Sequence, residues 1–146
     1  MDKANIDDKV LKYEHFVNET LRGDLKNLND LRDKVYGEIS EYLQLQTTLQ
    51  KLEECKANKN NQPLKTQVDI GCNFFAQAVV DDPSKVFVCV GYGFYVEYTY
   101  KEALEFIDKR VKILNKQAEN FSKDMAHVRA QIRLVLEGLR ELQGLS

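Results

Sequence analysis

Tryptophan is absent from this chain of 146 residues, and proline occurs only twice, at Pro63 and Pro83. A proline inside a helix costs about 3 kcal/mol, so long helices are free to form on either side of that middle stretch. The three cysteines, Cys55, Cys72 and Cys89, are too few and too scattered for a disulfide framework. None forms a CxxC pair, which leaves a zinc site unsupported, and reduced, partly buried thiols are expected. The two histidines, His15 and His127, have no Cys, Asp or Glu at metal-site spacing. No apolar run reaches the length a membrane helix needs. The opening MDKANIDDKV is charged throughout and has no apolar stretch of the secretory kind, so a cytoplasmic and nuclear location is expected. A net charge of −2 gives no broad basic surface for phosphates, which argues against direct nucleic-acid binding.

Catalytic signatures are missing as well. There is no GxSxG, P-loop or HExxH pattern. Gly91-Tyr92-Gly93 lacks the third glycine of a dinucleotide loop and reads as a tight turn between strands. The carboxylates interleave with lysine and arginine, as on a solvated helix face. No catalytic residue, cofactor or metal is expected, and an enzyme is disfavoured.

What the chain has is helical periodicity. Towards the C-terminus apolar residues recur in steps of three and four: Leu104, Ile107, Val111, Leu114, Ala118, Phe121, Met125, Val128, Ile132, Val135, Leu139 and Leu142. A repeat near 3.5 over that length marks a coiled-coil stripe. The N-terminal seam reads Val10, Glu14, Val17, Leu21, Asp24, Leu28, Leu31, Val35, Glu38, Tyr42, Leu45, Leu49 and Leu52. Leu25 follows Asp24 and Ile39 follows Glu38, which predicts that the stripe drifts by one position at those points. Gly23 and Gly37 fall on the outward side. Helices over about 8–57 and 100–143, each on the order of 60 Å long, most simply fold back antiparallel in one domain spanning 1–146.

Between them, from about 64 to 99, the period becomes alternating. Thr66, Val68 and Ile70 alternate with Gln67 and Asp69. FFAQAVV, VFVCV and FYVEYT follow, with turn signals at Gly71 to Asn73, Asp81 to Lys85 and Gly91 to Gly93. The pattern predicts four short strands in two hairpins. The stretch KANKNNQPLK before them reads as a mobile loop. A four-stranded unit this small cannot cover its faces or edges, so it is expected to join sheets of other subunits. The fold class is α+β: a long antiparallel two-helix coiled coil joined by a four-stranded β segment.

Three stretches sharpen this. VDIGCNFFAQAVV resembles the first two strands of α-class prefoldin subunits, VFVCVGYGFYVE their third and fourth strands with the Gly-x-Gly turn, and EALEFIDKR the start of their second helix. The resemblance covers essentially the whole chain, and four strands rather than two place it with the α class. It implies a hetero-hexamer of two α-class and four β-class prefoldin or prefoldin-like subunits. Such an assembly joins through its β segments and holds non-native client proteins without ATP. Val68, Ile70, Gly71, Phe74, Phe75, Val86, Val88, Gly91, Gly93 and Tyr95 are then expected at the subunit-assembly surface. Val10, Val17, Val135, Leu139 and Leu142, at the frayed ends of the coil, are candidates for client contact.

Two other readings compete. A plain coiled-coil spacer would explain the helices, but it has no use for an aromatic-rich β insert. An adaptor that recruits transcription factors by its outer helical faces, acting as a nuclear cofactor, is compatible with the same residues. The chain contains no LxxLL motif, so docking into a nuclear-receptor groove by that route is not supported.

Overall fold

The structure, a computed structural model, describes residues 3–58 and 63–144, with the side chains of 3–6 and 56–58 excepted. Helix α1 spans Lys3–His15, a π-helical turn covers Phe16–Leu21, and α2 runs over Arg22–Asn58. Strands β1 (Leu64–Gly71), β2 (Phe74–Val80), β3 (Lys85–Gly91) and β4 (Phe94–Thr99) follow, and α3 spans Tyr100–Leu142. Asparagine-rich residues 59–62 of the expected loop lie outside the described residues, while Lys56–Asn58 close helix α2. The chain forms two compact units, Met1–Ile39 with Ile113–Ser146, and Ser40–Lys112.

In the first unit the two helical segments bury Val10, Val17, Leu21, Val35 and Ile39 from one side and Leu114, Ala118, Met125 and Leu139 from the other. The α3 seam follows its sequence: of the residues expected on it here, only Leu142 is exposed. The N-terminal seam departs from a strict heptad. Asp24 is exposed and Leu25 half-buried; Glu38 is exposed and Ile39 buried, so the expected drift occurs at both points. It also occurs at a third: Leu31 is 43% exposed and Arg32 takes the half-buried place.

The π-helical turn accounts for the start of this shift. Val17, Leu21 and Leu25 succeed one another in two steps of four, which a 3.5-residue repeat does not contain. A π turn bonds each N–H to the carbonyl five residues back and so accommodates one extra residue; here the Arg22 N–H reaches the Val17 carbonyl. Arg32 sits in the seam by bonding locally: its Nη2 donates to Asn29 Oδ1 at 2.9 Å, and its guanidinium lies 5.8 Å from the Tyr36 ring centre. Gly23 is half-buried rather than outward, because the shifted stripe brings its side of the helix towards the seam.

In the second unit Leu49, Val88, Tyr100, Ala103 and Ile107 form the core, with Tyr42, Leu52, Val86, Tyr98 and Phe106 packed against it. Gln46 occupies the seam place expected for Leu45, which is 39% exposed. Its amide donates across the helix pair to Asp108 Oδ1 at 3.1 Å, so the polar side chain enters the seam with a partner. Tyr98 stacks on Phe106 with ring centres 5.9 Å apart.

The start of α3 is fixed by a reciprocal cap. Thr99 N–H and Oγ both donate to Glu102 Oε2 at 2.9 Å, and the Glu102 N–H returns a bond of 3.3 Å to Thr99 Oγ. This arrangement satisfies donors that a helix N-terminus otherwise leaves open. These bonds hold the Glu102 carboxyl below the ordinary range, the Thr99 N–H contributing most. One residue on, the Tyr100 hydroxyl donates to the Pro83 carbonyl and ties the β2–β3 connection to the helix.

β1 pairs with β2 and β3 with β4, both antiparallel, as two separate two-stranded sheets. The hairpins repeat each other at an offset of 20 residues: Lys65 faces Val79 as Lys85 faces Thr99, and each ladder is irregular just before its turn, between Asp69 and Gly71 and between Cys89 and Gly91. Both turns have two positive-φ residues, Cys72 and Asn73 (53° and 62°), Tyr92 and Gly93 (52° and 80°), each pair preceded by a glycine above 100°. That is the type I′ geometry whose twist matches antiparallel strands.

Candidate functional site

The repeat allows the hairpins to be compared position by position. Alternation puts Val86, Val88, Val96 and Tyr98 on one face of β3–β4. There Val88 is 7% exposed, and Val86 and Tyr98 are half-buried against the helices. The equivalent face of β1–β2 carries Thr66, Val68, Ala76 and Ala78, and Val68 is 47% exposed. Near the first turn, Ile70, Phe74 and Phe75 are exposed by 68%, 69% and 60%. The outer face of β3–β4 adds Phe87 and Tyr95, at 73% and 67%. Isolated two-stranded hairpins are marginal in water, and contiguous exposed apolar patches mark interaction surfaces.

The residues expected at an assembly surface therefore divide by role. Val68, Ile70, Phe74, Phe75 and Tyr95 are open to solvent; Gly71, Gly91 and Gly93, with φ of 103°, 116° and 80°, shape the turns. Val86 and Val88 are occupied within the chain, packing β3–β4 on its own helices. Phe87, which the aromatic surplus of the β segment already marks as more than one small sheet can bury, and Phe94, 70% exposed, belong to the exposed set as well; of the two, Phe94 is not reached by the sequence pattern.

In the first unit, Val10, Val17 and Leu139 are buried in the seam, Val135 is half-buried and Leu142 is 48% exposed. Tyr13, Val135, Gly138, Leu139 and Leu142 line a shallow apolar groove of about 320 Å³. Beside the named candidates, Leu11, Phe16, Leu134 and Leu136 are exposed; they lie off the heptad stripe, which is why a search for seam residues passes over them.

The thiols correct the sequence expectation. Cys55, Cys72 and Cys89 are all exposed, because Cys72 stands in a turn and Cys89 points to the outer face of β3 beside Tyr95. His15 and His127 are exposed too. Among the described residues no polar or charged side chain is fully buried, and no group of His, Cys, Asp and Glu is placed to hold a metal. No described helix is long and apolar enough to cross a membrane.

Comparison with known proteins agrees with this geometry. Residues 21–145 match the family description "Prefoldin subunit". Protein UXT of Bos taurus is 46% identical over 138 residues, which cover 94% of this chain and 86% of that protein. The prefoldin subunit alpha of Pyrococcus horikoshii is 29% identical over 100 residues, 68% of this chain and 67% of its own. Among solved structures, filamentous prefoldin from Methanocaldococcus jannaschii superposes with a TM-score of 0.70 at 20% identity, covering 84% of this chain and 97% of its own; at that identity the likeness concerns the fold. Two paired-helix segments, two consecutive type I′ hairpins with an uncovered apolar face, and a match extending over most of the sequence converge on one assignment: the chain belongs to the prefoldin family, with its alpha-type fold and strong similarity to UXT proteins.

Proposed function

We propose that this chain is the α-class subunit of a prefoldin-like hetero-hexamer, joined to α- and β-class subunits through its hairpins, and that the assembly holds non-native proteins without ATP. The observation that carries the reading is the β1–β2 face around Val68, left open although Val86, Val88 and Tyr98 at the equivalent places in β3–β4 pack on the helices. Phe74 and Phe75 beside the turn are exposed as well, and a subunit that functioned alone would gain nothing from keeping these side chains in water.

Client holding fits the part of the first unit's helix pair that holds Leu11 to Phe16 and Leu134 to Leu142. Tyr13 and Leu142 line a shallow apolar groove, and Leu11, Phe16 and Leu134 are exposed on the same helical segments, a surface for weak contacts with many unfolded chains rather than a pocket for one ligand. The test is to co-express the chain with prefoldin subunits and measure how well the complex suppresses aggregation of a denatured protein. Replacing Tyr13, Leu134 and Leu142 by serine should leave assembly intact and weaken suppression severalfold. Equal protection by the variant complex would locate client binding elsewhere.

A second reading draws on the outer helical faces, where Tyr36 and Leu43 are exposed by 48% and 45%. These suit an adaptor that recruits folded regulatory proteins such as transcription factors, in the cytoplasm and nucleus. Client breadth separates the two: a holder protects several unrelated unfolded proteins, whereas an adaptor binds one or two folded partners at fixed stoichiometry.

A further inference from the structure

The hairpins repeat each other in register and turn geometry, yet only one of them is supported by the rest of the chain. Val88 is 7% exposed within the core that includes Leu49 and Ile107; its equivalent Val68 is 47% exposed. Every described residue of β1–β2 other than Leu64 and Ala78 is exposed. The turns differ in the same direction. The first positive-φ place has an ordinary side chain in both turns, Cys72 and Tyr92, but at the second β3–β4 has Gly93 where β1–β2 has Asn73, and glycine adopts that region more freely than asparagine. No described hydrogen bond ties β1–β2 to a helix; the Asp69 carboxylate accepts only from Gly71 N–H, at 2.8 Å, within its own turn.

We infer that β1–β2 is not a preformed docking surface but a segment that folds as it docks: it orders against the hairpins of a neighbouring prefoldin-type subunit, while β3–β4 is a fixed part of the lone subunit. This rests on the assembly reading above for the identity of the partner. Its physical basis is independent of that reading. A two-stranded hairpin with both faces in water lacks the apolar burial needed to offset the entropy of ordering its backbone. Docking supplies that burial, and the ordering cost is met only then. Assembly affinity is thereby scaled by the fraction of hairpin already formed in the free chain.

Two measurements test it. The first is hydrogen exchange of the full-length free chain, diluted below its self-association, and of the complex co-purified with prefoldin subunits. Ladder amides of 65–80 should exchange in the free chain at least about tenfold faster than those of 86–98, and the gap should close in the complex. Equal protection of the two hairpins in the free chain overturns the inference, whether or not a complex forms. If the free chain shows the gap but no prefoldin subunit closes it, the inferred folding on docking fails together with the assembly reading.

The second measurement uses the turns. Replacing Cys72 by Asn and Asn73 by Gly installs the pair that type I′ turns favour, and preorganisation of this kind should tighten assembly by about threefold to tenfold. The corresponding change in the fixed hairpin, Tyr92→Asn, should leave the assembly constant within about twofold. A larger gain from Tyr92→Asn than from the double substitution overturns the proposal.

Discussion

Removing two methyl groups from Val88 and from Val68 makes the same chemical change at equivalent places in the two hairpins. Val88 is 7% exposed in the second unit's core, and Val68 is 47% exposed. At about 0.8 kcal/mol per buried methylene, Val88→Ala forfeits roughly 1.6 kcal/mol of transfer energy, and the cavity left among Leu49, Tyr100 and Ile107 raises the cost to about 2–3 kcal/mol. In a chain of this size that lowers the melting temperature by roughly 5–10 °C. Val68 has about half its surface in water, so Val68→Ala should cost the isolated chain less than about 1 kcal/mol. The order reverses in assembly. Docking buries what Val68 leaves exposed, so Val68→Ala should weaken association severalfold, while Val88→Ala acts only through the stability of the subunit. Thermal melts followed by circular dichroism at 222 nm, on dilute isolated chain, give the first quantity; titration with partner subunits gives the second. Equal losses of stability for the two variants would refute the division of labour between the hairpins.

Further outcomes follow from the same features. Gly93 has a φ of +80° with no heavy atom within 4 Å of a Cβ placed there, so Gly93→Val should cost about 1–3 kcal/mol through backbone strain alone. It should impair assembly with helix content intact, Gly93→Asn should be much milder, and unchanged assembly of the valine variant would show the turn to be unimportant. The isolated chain should self-associate at micromolar concentration, since Phe74, Phe75, Phe87 and Tyr95 are all exposed; a clean monomer by light scattering would contradict this. The Glu102 carboxyl is held below its ordinary value by Thr99, so its cap stabilises α3 above about pH 4.5, the ordinary carboxylate value, and is lost as pH falls through the depressed one. Glu102→Gln should flatten that acid limb of the melting-temperature profile, and an unchanged profile would mean that the cap does not contribute.

Much of the fold is legible in the sequence because its determinants are local or periodic. The α3 seam from Leu104 to Leu139 needs only the spacing of apolar residues, and the hairpins need only alternation and the GCN and GYG turns. The α2 seam was less readable. Asp24 and Glu38 announce their own displacement by an apolar neighbour, but Leu31 and Leu45 look like better seam residues than Arg32 and Gln46. What favours the polar pair is structural detail that spacing does not carry: for Arg32 the rotation set after the π-helical turn and its local bond to Asn29, for Gln46 the bond across the helix pair to Asp108. The successive four-residue steps from Val17 to Leu25 were the available clue. The candidate surface was legible in kind, not in detail. Composition shows that the β segment has more aromatic surface than it can cover, but only packing shows that Val86 and Val88 are spent within the chain while Val68 is left open.

Native mass spectrometry of the complex that co-purifies with this full-length chain, from cells expressing prefoldin subunits at ordinary levels, bears most directly on the central claim. The account predicts one dominant hetero-oligomer with the mass of six prefoldin-type subunits containing this chain, lost when Val68, Phe74 and Phe75 are together replaced by serine. Recovery of the chain only as a monomer or homo-oligomer, or an unchanged hetero-oligomer from the triple variant, would contradict it.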